Sequence, residues 1–96
     1  MNLHFHPEAK DDVRTIAEKY GEVSERVHER FWTELESAIQ RIGEFPERHH
    51  LDASGYRRAN LEKFPYHLLF ETSDTETRIL VVRHNRRDPS FGLERR

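Results

Sequence analysis

Ile79, Leu80, Val81 and Val82 are four consecutive apolar residues near the C-terminus, and three of them are β-branched. A run this short and this apolar fits a strand buried on both faces, the centre of a sheet. The character then changes. Arg83, His84, Asn85, Arg86, Arg87 and Asp88 follow without an apolar residue among them, and Pro89 stops further pairing. A rigid strand that ends in guanidinium groups presents charge to an anion. The rest of the chain must supply the layers that bury that strand.

Upstream, Leu3 and Phe5 alternate with His4 and His6, a short strand with the two histidines on its outer face. Pro7 suits a first helical turn, and Glu8 favours its positive end. Ala9, Val13, Ile16, Ala17 and Tyr20 form one helical stripe, and Gly21 is placed to end that helix in a left-handed cap. A second helix is expected from Ser24 as N-cap. Its apolar positions are Val27, Phe31, Leu35, Ala38, Ile39 and Ile42, with Trp32 at the edge and Gly43 and Pro46 closing it. The link is so short that the two helices should form an antiparallel hairpin.

Residues 47–55 read as a polar loop. Arg57, Ala59 and Leu61 then alternate with polar residues, Phe64-Pro65 interrupts, and Tyr66, Leu68 and Phe70 begin a further strand. Ser73-Asp74-Thr75 makes a turn into the central strand. The expected order is β-α-α-β-β-β. The fold class is therefore α+β: a small, antiparallel-rich sheet with a helical hairpin on one face, in a single domain spanning residues 1–96.

Ninety-six residues with 34% hydrophobic and 35% charged side chains allow one thin core and no second one. There is no cysteine, which excludes a disulfide scaffold and a zinc–thiolate site. The N-terminus lacks a signal-peptide pattern and no apolar run approaches a membrane span, so a cytoplasmic protein without a membrane partner is expected. Residues 1–56 carry seven basic and twelve acidic side chains, a net −5; residues 57–96 carry nine and six, a net +3. That asymmetry fits a basic working surface on an acidic support, and equally the ordinary richness of helix surfaces in glutamate.

Metal-free RNA cleavage needs a base for the 2′-hydroxyl, positive charge for the phosphorane and an acid for the leaving oxygen. Arg86, with Arg57 or Arg58 from a neighbouring strand, supplies charge on that reading, and His84 and His67 exchange protons. The bland alternative is that Arg86 and Arg87 beside Asp88 form a solvated strand end, and that Phe64-Pro65-Tyr66 is a bend with core aromatics. Seven histidines are present, but no helical H-x-x-x-H pair, so no metal and no cofactor is expected. A sequence pI near 6.4 weighs against a protein that grips ribosomal RNA.

Taken together, several patterns resemble the RelE/ParE superfamily of bacterial toxins from type II toxin–antitoxin modules. They are Phe31…Leu35…Ala38-Ile39…Ile42…Phe45-Pro46, Tyr56-Arg57-Arg58, Phe64-Pro65-Tyr66, and Val82-x-His84-x-Arg86-Arg87-x-Pro89. The last two look closer to the ParE-like side. The resemblance implies a growth inhibitor neutralised by a cognate antitoxin whose C-terminal segment wraps the toxin. Its target would be DNA gyrase for a ParE-like member, or the ribosome and its mRNA for a RelE-like endonuclease. On the RelE-like reading the catalytic residues are Arg86, His84 and Arg58. On either, Arg57, Arg58, Arg83, Arg86, Arg87 and Phe91 are the candidates for target or antitoxin binding. Two departures from the RelE-like pattern stand out: His67 occupies a position where an arginine is expected, and Phe91 sits where a proton-transferring tyrosine or histidine would be.

Overall fold

The computed structural model describes residues 2–96. The elements are β1 (Asn2–Phe5), α1 (Pro7–Val23), α2 (Glu25–Glu44), a 3-10 turn at Pro46–Arg48, β2 (Arg57–Asn60), β3 (Tyr66–Thr72) and β4 (Glu76–His84). The sheet order is β1-β4-β3-β2, parallel between β1 and β4 and antiparallel elsewhere. The expected α+β order is thus met, with the apolar strand inside the sheet and the helical hairpin on one face.

Local chemistry explains the helix boundaries. His6 is not an outer-face residue of β1, as the alternation implied. It is buried and caps α1, its Nδ1 accepting the Glu8 amide at 3.0 Å. Pro7 follows at the first helical position, where its missing N–H costs nothing. Gly21 does not end α1 in a left-handed turn. The helix runs on to Val23, and Ser24 alone separates it from α2. Ser24 serves both helices: its amide donates to the Tyr20 carbonyl, and its Oγ accepts the Val27 amide at 3.1 Å. A good N-cap at Ser24 outweighs the modest cost of helical glycine at position 21. Gly43 is likewise helical, and α2 closes at Glu44.

The helices bury Ala9, Val13 and Ile16 with Phe31, Leu35, Ala38 and Ile42 against Leu68, Phe70, Ile79 and Val82 of the sheet. Phe64 and Tyr66 are core aromatics: Phe64 meets Tyr20 edge-on at 4.9 Å and Phe31 at 5.7 Å. The segment before them is pinned by Glu34 of α2, whose carboxylate accepts the amides of Glu62 and Lys63. β2 accordingly stops at Asn60, short of the Leu61 expected from the alternation.

The second face of β4 carries no helix, yet Leu80 and Val81 are fully buried. The C-terminal tail lies over Val81. Gly92 has φ +85°, and a Cβ there would lie 2.7 Å from Val81 Cγ2, so only glycine allows this approach. β4 also has an unfinished edge, because β1 ends at Phe5, opposite Ile79. Beyond that point an ion pair replaces the missing strand. Asp12 of α1 accepts the Val82 amide at 3.0 Å. Arg95 of the tail donates to the Leu80 carbonyl at 3.1 Å, and to both Asp12 carboxylate oxygens at 2.6 and 3.0 Å. Both side chains are nearly excluded from water.

Removing one partner of such a pair strands the other charge. Asp12→Ala should therefore lower stability by about 3 kcal/mol, read from the urea midpoint. The double change Asp12→Ala with Arg95→Met should recover part of that loss. A single-mutant cost below about 1 kcal/mol would show the edge needs no ionic closure.

Candidate functional site

The strand register divides the candidate residues between two faces, because successive side chains point oppositely. Arg58 lies opposite Leu69, and His67 opposite Arg83, on the face away from the helices. Arg57 lies opposite Phe70, and His84 opposite Tyr66, on the helical side. The turn after β4 carries Arg86 and Arg87 beyond the strand end.

On the face away from the helices a polar chain crosses three strands. Arg83 is buried, and its Nε donates to His67 Nε2 at 2.9 Å. Its Nη1 donates to the carbonyls of Pro89 and Phe91, at 2.8 and 2.9 Å. Arginine can only donate, so His67 Nε2 must be an acceptor and the imidazole proton sits on Nδ1. That proton goes to Asn85 Oδ1, 2.8 Å away. Asn85 Oδ1 also accepts from Arg58 Nη2 at 3.4 Å. Arg58 reaches on to Asn60 at 2.8 Å and Asp52 at 3.5 Å. Burial pushes the His67 pKa below the ordinary imidazole value; the bond to Asn85 opposes this, while the charges of Arg58 and Arg83 add to it. The neutral ring is what the geometry requires.

Arg83, expected among the presented cations, is thus turned inward and holds the tail. Arg57 is also engaged inside the fold, donating to the carbonyls of Glu47 and His49 at 3.3 and 2.8 Å. Arg86 is different: it is exposed, and its guanidinium has no hydrogen bond or ion pair among the described residues. Arg87 is exposed and stacks over the Phe91 ring at 4.1 Å, with Arg95 5.1 Å from the same ring. His84 stands edge-on to Tyr66 at 5.2 Å, and its Nδ1 accepts the Arg86 amide at 3.0 Å. Asp12, Thr15, Tyr66, His84, Arg87 and Phe91 line a slot of about 340 Å³ between α1 and the unfinished edge of β4.

The arrangement therefore joins Arg58 to His67, Asn85 and Arg83, and joins Arg87 to Phe91. It does not bring His84 to Arg58, since the sheet lies between them. Asn85, Asp52, Asp12 and Arg95 had not been singled out from sequence. Asn85 lay inside the basic stretch and could have been suspected as a polar bridge. Asp12 occupies an ordinary solvent-side position of the α1 pattern, and nothing local marks it. Among the described residues no cluster of three histidine or acidic side chains is arranged to hold a metal ion.

A family model described as the ParE toxin of the type II toxin–antitoxin system parDE matches residues 3–89. The match runs from Leu3 in β1 to the end of the basic stretch, including every residue of the polar chain between Asp52 and Pro89. No curated protein matches the chain.

The two classes of arginine should separate in a stability assay. Arg83→Met leaves the His67 acceptor and two tail carbonyls without their donor, and should cost about 3 kcal/mol. Arg86→Ala should change stability by less than about 0.5 kcal/mol. Equal costs would contradict the inward placement of Arg83.

Proposed function

As the chain belongs to the ParE toxin family of type II toxin–antitoxin systems, we propose that it inhibits growth by binding DNA gyrase in the cytoplasm. The observation that carries this reading is that the candidate catalytic set of Arg58, His84 and Arg86 does not assemble on one face of the sheet. His84 and Arg58 occupy opposite sides of the sheet. His67, which lies beside Arg58 and Arg83, is buried, with both nitrogens committed. Phe91 contributes an aromatic ring to Arg87 and no proton. Cleavage of RNA would need an acid and a base converging on one phosphate, with charge beside them. Recognition of a protein needs only an exposed surface, and Arg86 with the Arg87–Phe91 stack supplies a cationic and aromatic one.

The cognate antitoxin is assigned to the other flank of α1. Phe5, Val13, Ala17, Trp32, Leu35 and Ile39 line a groove of about 580 Å³ along the helical hairpin, with Lys10, Arg14, Glu18 and His28 as its polar lining. Its apolar floor suits the hydrophobic stripe of a partner segment that folds on binding, and its mixed charges, Lys10 and Arg14 with Glu18, suit polar flanks of either sign.

Induction in growing bacteria should raise the SOS response and produce cleaved DNA, while primer extension finds cellular mRNA intact. Cuts at codon positions would replace this reading with a ribosome-dependent endonuclease. Growth without any defect would leave an antitoxin-binding protein that is not toxic. The double variant Arg86→Ala, Arg87→Ala should lose toxicity by at least about tenfold in the inducer needed, a loss of about 1.4 kcal/mol in target binding. It should still co-purify with its antitoxin. Ile39→Arg should do the reverse.

A further inference from the structure

We infer that His67 makes the attachment of the C-terminal tail sensitive to acid: protonating its ring breaks the clasp by which Arg83 holds residues 89–91. The argument starts from hydrogen-bond directions. The tail is held at three places: Arg83 on the Pro89 and Phe91 carbonyls, Gly92 against Val81, and Arg95 on Asp12. The first depends on His67, whose Nε2 lone pair receives the Arg83 Nε–H at 2.9 Å. A second proton on the ring would have to sit on that nitrogen, because Nδ1 already carries one toward Asn85. Two N–H groups would then point at each other, both cationic and both out of water.

The neighbouring charges do not rescue the cationic ring. Arg58 from β2 and Arg83 from β4 repel it; Asp52, from the loop before β2, attracts it but is already bonded to Arg58 and to the Ser54 amide. From the tail, Asp88 bears on Arg83 and is engaged by Ser90. Asn85, from the turn after β4, offers its oxygen to Nδ1 in either state.

The direction of the effect follows from the same burial. His67 in the fold binds its proton less readily than an ordinary imidazole, whose pKa is 6.5. The unfolded or detached state therefore takes up more protons as the pH falls. The clasp's contribution is present in full above pH 6.5 and is lost as the pH falls from there through the lower value His67 has in the fold. Because the pairing of β3 with β4 is independent of the ring, the loss is local to the tail and uncovers Val81 and the slot beside Phe91.

Amide hydrogen exchange on the intact chain tests this. Corrected for intrinsic rates, exchange at residues 90–95 should quicken at least about tenfold between pH 7 and pH 5, the change expected over one unit of titration, while β3 amides stay protected. His67→Gln keeps an acceptor for Arg83 and a donor for Asn85 without a titrating group, and its tail should be equally protected at both pH values. Equal loss in the variant, or no loss in the wild-type protein, would overturn the inference. A second readout does not depend on the variant folding. In the wild-type protein the His67 ring and the Gly92 amide should titrate together by NMR. Titration of His67 with Gly92 unmoved would also refute it.

Discussion

Everything in this fold answers to the need to bury β4 completely. Ile79 and Val82 face the helical hairpin and are covered by ordinary apolar packing. Val81 and the outer edge at Leu80 and Val82 have no such neighbour in the sheet–helix layers. The chain closes them with polar groups brought from a distance. Asp12 and Arg95 are far apart in sequence, yet together they satisfy one amide and one carbonyl that a longer β1 would have paired. Burying an ion pair is costly in itself, but this pair also satisfies an amide and a carbonyl that would otherwise lack partners. The tail can lie flat only because Gly92 lacks a Cβ.

This closure divides the arginines into two populations. Arg57, Arg58, Arg83 and Arg95 spend their donors on carbonyls, carboxylates and amide oxygens of the fold. Arg86 and Arg87 remain outside, on the turn that β4 leads into. The +3 balance of residues 57–96 thus overstates the charge open to a partner. The surface left is a cationic corner with one aromatic ring, distinct from the apolar groove on the hairpin.

The same economy ties the outside to the inside. The Arg87–Phe91 stack is built on a tail whose position depends on Arg83, and Arg83 depends on the neutral ring of His67. A change of charge at one buried nitrogen therefore bears on the half-buried Phe91 ring. Such coupling is a consequence of building a covering layer from hydrogen bonds, which have direction, where apolar contacts have none.

Periodicity and capping chemistry were enough to read the scaffold. The stripe on each helix, Ser24 as N-cap, Pro7 at a helix start, and the uninterrupted run Ile79–Val82 each reflect a preference expressed within a few residues. Where two local signals competed the reading failed: Gly21 looked like a helix end but stayed helical, and His6 looked like a strand residue but became a cap. The sequence alone thus determined the order of elements, the central strand and the hairpin, because those follow from spacing. Which arginines are spent and which are free, and that Asp12 meets Arg95 and His67 meets Arg83, only the tertiary structure decided. Those pairings join residues that are 16 to 83 positions apart, and no local pattern encodes which distant partner will satisfy a buried donor.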